Sequence, residues 1–439
     1  MKGLANGLVV LILALTITIP VNAETEYNLS GQIRLREVLD NRSFDTSNEI
    51  LNFSELRTRV SAEAIVDDNA HAFVQLQDSR LMGGFDQHGN RTSGELNDGK
   101  NLDLHQAYFQ LDNLFVEGIG MKAGRFELVF GNQRVFSAGG WSNVGRSWEG
   151  AIGWYDHPRV KITGFGMKAI ERNSTEDNAD FDIAGSYLTL KEYDVDLFTL
   201  FEYDADKTDL YHEIIKRLNR MSFGTYFTYQ YQKLDFEFNS VYQTGTQARG
   251  PYEEDTLKNK DKLDIAAFMF SAEAGYSFEA PCKMRFAAGI DYTSGDDDDS
   301  DDKLEAYNNL FFAGHKFNGH MDLFINRSGQ DYEYAGLSDI ILRASVEPAE
   351  GWNIKADAHF FSTTENYDYI KTSNDEGSIP ELYTSSDVGV EIDASVATTK
   401  VAGVHILVGG SAFFAKEAFA GHPDPDPAFW GFTTMTVNF

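Results

Sequence analysis

Glu55-Leu56-Arg57-Thr58-Arg59-Val60-Ser61-Ala62-Glu63-Ala64-Ile65-Val66 is the stretch that decides the fold. Leu56, Val60, Ala62, Ala64 and Val66 fall on one parity and Glu55, Arg57, Arg59, Ser61 and Glu63 on the other. That is the period of a strand with one apolar and one charged face. The same division recurs on both sides. Ile33 and Leu35 alternate with Gln32, Arg34 and Arg36; Val74 and Leu76 with Gln75 and Gln77; Ala107, Phe109 and Leu111 with Gln106, Tyr108 and Gln110. Later copies set Met284, Phe286, Ala288 and Ile290 against Lys283, Arg285 and Asp291, and Ile340, Leu342, Ala344 and Val346 against Arg343 and Glu347. Alternating segments of about ten residues mark a membrane barrel with one face in lipid and the other on a polar lumen. A soluble sandwich also alternates, but on shorter strands whose apolar face points inward.

Eighteen such segments are predicted: 27–38, 53–66, 70–79, 103–112, 115–126, 147–156, 159–170, 181–191, 194–204, 220–230, 233–243, 263–279, 283–293, 338–347, 352–362, 385–397, 401–413 and 429–439. Between them, tight turns such as Asp67-Asp68-Asn69 and Asp156-His157-Pro158 contrast with the long connections 80–102, 127–146, 244–262, 294–337, 363–384 and 414–428. An even strand count with short turns on one rim and long loops on the other is the arrangement of bacterial outer-membrane barrels. The expected fold is therefore all-β: an 18-stranded antiparallel transmembrane β-barrel with short periplasmic turns and long extracellular loops.

Composition narrows the function. The 439 residues hold 37 Lys and Arg against 68 Asp and Glu, a net charge of −31, which excludes a nucleic-acid binder because phosphates need a cationic surplus. The single cysteine excludes a disulfide framework or a thiolate zinc module. Lys2, the apolar stretch Leu8 to Ile19 and the small-residue site ending at Ala23 read as a signal peptide, residues 1–23, for the general secretory route. Residues 24–439 then form the barrel, with a charge of 36 − 68 = −32. The location expected is the outer membrane of a Gram-negative cell. No HExxH or GxSxG element occurs, and His105, His157, His212, His315, His320 and His405 are scattered, so catalysis is not expected.

More specific words stand within the strands. Arg57-Thr58-Arg59, Gln75-Leu76-Gln77-Asp78-Ser79-Arg80, His105-Gln106-Ala107-Tyr108, Gly124-Arg125-Phe126-Glu127, Gly131-Asn132-Gln133-Arg134 and Trp141-Ser142-Asn143-Val144-Gly145-Arg146-Ser147-Trp148 follow one another in that order. Ser294-Gly295-Asp296, Leu310-Phe311-Phe312, Gly314-His315 and Gly319-His320-Met321-Asp322 come far downstream. Together they resemble the alginate export family of outer-membrane proteins, most densely over 30–170 and 285–325. The resemblance implies a monomeric eighteen-stranded barrel that passes an acidic polysaccharide or related anion without catalysis. The last strand, with Gly431, Thr433, Met435, Val437 and terminal Phe439 on one face, resembles the segment that barrel-assembly machinery recognises. Lipid and lipopolysaccharide are the other expected partners.

A pore for carboxylates needs fixed cations where hydration water is shed. Parity puts Arg34, Arg36, Arg57, Arg59, Arg285 and Arg343 on the lumen face, with Lys122, Lys283 and Lys355 as weaker candidates; the family motifs, not parity, add Arg80, Arg125, Arg134 and Arg146. Two readings stand for the first group: contact with solute, or pairing with Glu37, Glu55 or Glu63 across neighbouring strands. At the level of the whole protein the alternative is a general diffusion porin of little selectivity. Segment 294–337 holds ten acids, seven of them between Asp296 and Glu305, and is read as an external loop that says little about the lumen. The run Asp296 to Asp302 could bind Ca²⁺ but lacks the spacing of an EF-hand. Phe165, Tyr187, Phe198, Tyr203, Tyr226, Tyr229, Phe236 and Tyr242 are expected in interfacial girdles.

Overall fold

A computed structural model describes residues 24–82, 102–171, 180–210, 213–248, 262–279, 281–298, 300–324, 334–371, 381–421 and 424–439; the expected signal segment 1–23 lies outside them. The wall consists of β1 Thr25–Asn41, β2 Leu51–Val66, β3 Ala70–Leu81, β4 Leu102–Leu111, β5 Ile119–Phe126, β6 Trp148–Asp156, β7 Val160–Ile170, β8 Phe181–Leu190, β9 Val195–Leu210 and β10 Glu213–Tyr231. It continues through β11 Leu234–Ala248, β12 Lys262–Phe278, β13 Lys283–Thr293, β15 Leu337–Glu347, β16 Trp352–Lys371, β17 Glu381–Val401, β18 Val404–Ala415 and β19 Ala428–Asn438. The two-residue β14, Lys303–Leu304, lies parallel to the start of β12 and is not part of the wall. Each wall strand pairs antiparallel with its neighbour, and β19 pairs with β1, so eighteen strands close a ring. Closure leaves no sheet edge, the condition for strands to cross a bilayer.

The alternation sets the two faces. In β1 the buried Arg34, Arg36 and Val38 point inward, while Ile33, Leu35 and Leu39 are exposed. Val60, Val74, Leu76, Phe286, Ile340 and Leu342 continue the exposed apolar band around the wall. On one rim the turns are short: 67–69, 157–159, 232–233 and 402–403 join their strands directly. Asp67, Asp68, Asp194 and Gln232 take positive φ there, the backbone that tight hairpins require. The chain ends sit at this rim, where Gly31 and Phe439 exchange backbone hydrogen bonds of 2.7 and 3.0 Å.

All eighteen predicted segments are strands, but three expectations are corrected. First, β16 runs to Lys371 and β17 starts at Glu381, so much of the segment 363–384 is wall, not loop. Its β-branched and aromatic residues favour strand more than its acids oppose it. Second, the connections 127–147 and 303–324 fold into the lumen. They carry Phe136, Phe311, Phe312, Phe317, Met321 and Leu323, side chains that only burial satisfies. The two segments pair: Ser137 N donates to Phe311 O at 3.0 Å and Ala313 N to Gln133 O at 3.0 Å.

Third, half of the expected aromatic girdle is inside. Tyr187, Phe198 and Phe165 join Phe126, Phe130, Phe136, Trp148, Ile183, Leu200 and Met269 in one apolar cluster against β5 to β12. Phe130 stacks on Tyr187 with centroids 4.4 Å apart, and Phe136 meets Trp148, Phe165 and Phe311 edge-on or tilted at 5.2 to 5.5 Å. Tyr226 faces the same interior. Tyr229, Phe236 and Tyr242 do lie on the exposed face.

Candidate functional site

What the apolar cluster leaves open is a cavity of about 2040 Å³ beside β11 to β19, β1 and β2, bounded by the two inward segments. Its wall holds eight Lys and Arg (Arg36, Arg42, Arg134, Arg146, Arg285, Lys316, Arg343, Lys355) and eight Asp and Glu, whereas the whole chain has 37 against 68. The acid surplus is thus absent from the wall of this cavity.

The arginine column on β1 and β2 has a positioning role. Arg34 and Arg57 are directly opposite partners in the antiparallel register, an arrangement in which like charges repel. Backbone carbonyls of the first inward segment separate them. Arg34 donates to Gly140 O (2.8 Å), Ser142 O (2.9 Å) and Asn143 Oδ1 (3.2 Å), and Arg57 to Gly140 O (3.3 Å), Ser142 O (3.1 Å) and Gln32 Oε1 (2.7 Å). Arg36 pairs with Glu55 at 3.1 Å and donates to Trp141 O at 2.7 Å, with its guanidinium 3.8 Å from the centre of the Trp141 ring. A wall amide and a wall hydroxyl complete the seat: Gln77 Nε2 donates to Val144 O at 2.6 Å and Ser79 Oγ to Asn143 O at 2.8 Å.

Arg59 is held differently. It contacts Gln77, Glu127 (3.1 Å) and His105 Nε2 (3.0 Å), and His105 also meets Glu127 at 2.8 Å. A register shift opposite Gln75 and Leu76 lets both His105 and Gln106 turn inward, the way a bulge redirects a side chain. Burial alone would raise the Glu127 carboxyl, but its hydrogen bond from His105 and the charge of Arg59 outweigh that and hold it below the ordinary carboxylate value.

The remaining sequence candidates separate into three groups. Arg134, Arg285 and Arg343 line the cavity but are neutralised: Arg134 by Asp291 (2.6 Å), Arg285 by Asp235 and Glu273 (2.7 Å), Arg343 by Glu273 (3.0 Å) and Asp357 (2.9 Å). Arg80 and Arg125 are corrections to the pore-lining expectation. Arg80 shares the parity of Val74, Leu76 and its partner Asp78, and Arg125 that of its partner Glu149, so both point away from the lumen near the long-loop rim. A motif word carries no facing; the strand's parity does. Arg146 faces the cavity and donates to Phe311 O at 2.6 Å.

Among the described residues, three lining cations have no carboxylate within ion-pair distance: Arg146, Lys316 and Lys355. Lys316 was hidden in the sequence, counted as part of an external acidic loop. It donates to Asn132 O at 2.9 Å. The site is reachable by water yet crowded by protein, and this burial lowers the ammonium below its usual range; Glu237 opposes the shift while Arg134, Arg343 and Lys355 add to it. Of the weaker candidates, Lys122 lies over the Tyr108 ring at 4.3 Å and Lys283 pairs with Glu347 at 3.4 Å, both away from the cavity. At the rim, carboxylate oxygens of Asp296, Asp297 and Glu305 lie within 4.8 Å of one another, which alone assigns no ion.

Comparison with known proteins supports this architecture. The barrel superposes on Acinetobacter baumannii OccAB1 (TM-score 0.59, 10% identity, 94% of this chain and 96% of the other). It does so equally on Pseudomonas aeruginosa OccK2 (OpdF) in complex with glucuronate (0.55, 10%, 94% and 98%) and on Pseudomonas aeruginosa OpdK with vanillate (0.54, 9%, 94% and 98%). At such identities the likeness is one of fold. No curated protein matches the sequence. The sequence profile described as alginate export matches residues 25–426, nearly the whole chain, and places this protein in the alginate export family.

Proposed function

We propose that this outer-membrane channel passes anionic sugars or organic acids by diffusion, alginate-like oligouronates among them. The observation that carries the reading is the cavity wall, which keeps Arg146, Lys316 and Lys355 without carboxylate partners in a chain rich in acids. A carboxylate shedding water there meets fixed positive charge, and Arg146 can offer it more than one donor. Two fold neighbours hold glucuronate and vanillate, both carboxylates, which agrees with this chemistry. The chain is proposed to act as a monomer in lipid and lipopolysaccharide, assembled through the strand ending at Phe439.

Reversal potentials in planar bilayers under a salt gradient test the proposal. Anion preference, and block of the current by oligouronate but not by neutral oligosaccharide, is expected. Cation preference, or indifference to uronate, would leave a general diffusion porin instead.

A further inference from the structure

We propose that the carboxyl pair Glu391 and Asp393 and the imidazole pair His315 and His320 form a proton-sensitive clasp that sets how firmly the second inward segment narrows the channel. This rests on the channel reading above.

The turn Gly319–Asp322 is pressed onto the inner face of β17. His320 N donates to Asp393 Oδ2 at 3.2 Å and Met321 N to Glu391 Oε1 at 2.8 Å. Gly319 has φ +79, and a Cβ there would lie 2.5 Å from Glu391 Oε2, so glycine lets the turn lie flat on the carboxyl group. Both acids are buried, and the oxygens left over, Glu391 Oε2 and Asp393 Oδ1, have no donor. They belong to groups two residues apart on one strand face. A single proton shared between the carboxyl groups satisfies both, whereas two buried negative charges side by side are costly.

The surroundings are titratable from every side. From β16, His359 Nε2 approaches Asp393 Oδ2 at 3.7 Å, while its Nδ1 is 2.6 Å from Asp339 Oδ2 on β15; Arg343 and Asp357 lie beside this group and add one charge of each sign. From the segment after β1, Arg42 donates to Met321 O and pairs with Asp40. On the inward segment itself, His315 Nδ1 is 2.9 Å from Asp322 Oδ1. His315 stacks 3.6 Å from Trp141 and 5.0 Å from His320, with rings nearly parallel. Since Arg36 is 3.8 Å from the same indole centre and two groups that close cannot share one face, Trp141 is sandwiched between them.

This column of guanidinium, indole and two imidazoles is stable while the imidazoles are neutral. Burial lowers the His320 pKa, Asp393 opposing and His315 reinforcing the shift, so His320 is neutral at pH 7. In acid, a positive charge on His320, stacked 5.0 Å from His315, would stand in line with Arg36 on the far side of Trp141. Protonated carboxyl groups would also be weaker acceptors for the two backbone N–H donors. Both changes loosen the turn, so proton uptake widens or unsettles the constriction.

The test has two readouts on the refolded full-length barrel. Single-channel recording from about pH 7.5 to about pH 5 should show fluctuation rates rising about tenfold, the equivalent of one pKa unit of coupling. Fluorescence from Trp141, isolated by subtracting the Trp141→Phe variant, should fall over the same range as His320 takes up its proton and the stack on the indole loosens. The double variant His315→Asn/His320→Asn and the single variant Glu391→Gln should each flatten both curves; where Glu391→Gln fails to fold, the histidine variant decides. Wild-type protein flat in both readouts, or variants that titrate as wild type does, would overturn the clasp. A barrel that carries no current but whose Trp141 signal titrates retains the clasp and removes the channel; steady current with flat titrations does the reverse.

Discussion

Between β6 and β12 the inner wall presents Ile183, Leu200, Ala267 and Met269 and the lumen is shut by close packing, whereas between β13 and β2 it presents Arg343, Asp357, Arg36 and Glu55 and remains an open cavity. The two halves meet at the inward segments. One side of residues 127–147 is held by Phe130 and Phe136 in the apolar cluster, the other by Arg34, Arg36 and Arg57 through backbone oxygens. The difference teaches a division of labour. Apolar packing supplies the rigid footing, and polar contacts aim the edge of the segment at the passage.

The sharpest way to break the contrast is to weaken the apolar footing. Phe136→Ala removes a ring with 1% exposure and four aromatic neighbours, and should cost about 3–5 kcal/mol, read as a lower urea midpoint of the folded barrel. An unmoved midpoint would mean that the cluster is not what holds the lumen shut.

A smaller effect is expected on the polar side. Arg34→Ala leaves the Gly140 and Ser142 carbonyls short of donors, at about 1–3 kcal/mol, partly offset by relief of the repulsion from Arg57. Proteolysis of folded protein within 137–147 should speed up in this variant; unchanged cleavage would remove the arginine column from the account.

Lys316→Ala and Lys355→Ala should alter stability by no more than about 0.5 kcal/mol yet shift the reversal potential toward cations, and the shift should shrink as salt screens the field. Selectivity that persists in the double variant would move the site elsewhere.

The finest test is pH. The folded Glu127 carboxyl titrates below its ordinary value of 4.5, so its contribution to stability is complete above that pH and is lost as pH falls through the lower folded value. His320 has the opposite chemistry but the same direction. Its folded value lies below 6.5, so the unfolded chain takes up the proton first and stability declines as pH drops through that region. Urea midpoints of Glu127→Gln and His320→Asn compared with wild type between about pH 7.5 and about pH 3.5 should show each loss separately.

The wall was legible because its signal is local. Ile33 beside Arg34 and Leu76 beside Gln77 declare the two faces of a strand without reference to anything distant. The lumen was harder to read for a physical reason: an inward segment is defined by contacts with residues far along the chain. Trp141 stacking on His315, or Met321 N reaching Glu391, leaves no periodic trace. Some signal was nevertheless present. Phe181–Leu190 and Val160–Ile170 carry apolar or small residues on both parities, with Ile183 and Tyr187 on one and Ala184 and Leu188 on the other. Loss of alternation in adjacent strands indicates a wall packed on both faces. Likewise Phe311, Phe312, Phe317 and Met321 are poor residues for a solvated external loop. Lys316 could have been found by asking where those side chains go.

The bonds between Gly31 and Phe439 bear on the order of assembly. Apart from the step from β13 to β15, every wall pairing joins strands separated by a single connection, so each can form while later sequence is still missing. The β1–β19 seam is different: it needs both ends of the wall. Until β19 is in place the sheet has two open edges, each a template for pairing with another chain. The Phe439 ring also covers Gly31 so closely that a Cβ there would lie 2.5 Å from it. Completion is thereby made contingent on β19 as a whole, and a sheet without that strand would remain open at both edges, whose cost is aggregation during biogenesis whatever the stability of the strands already made.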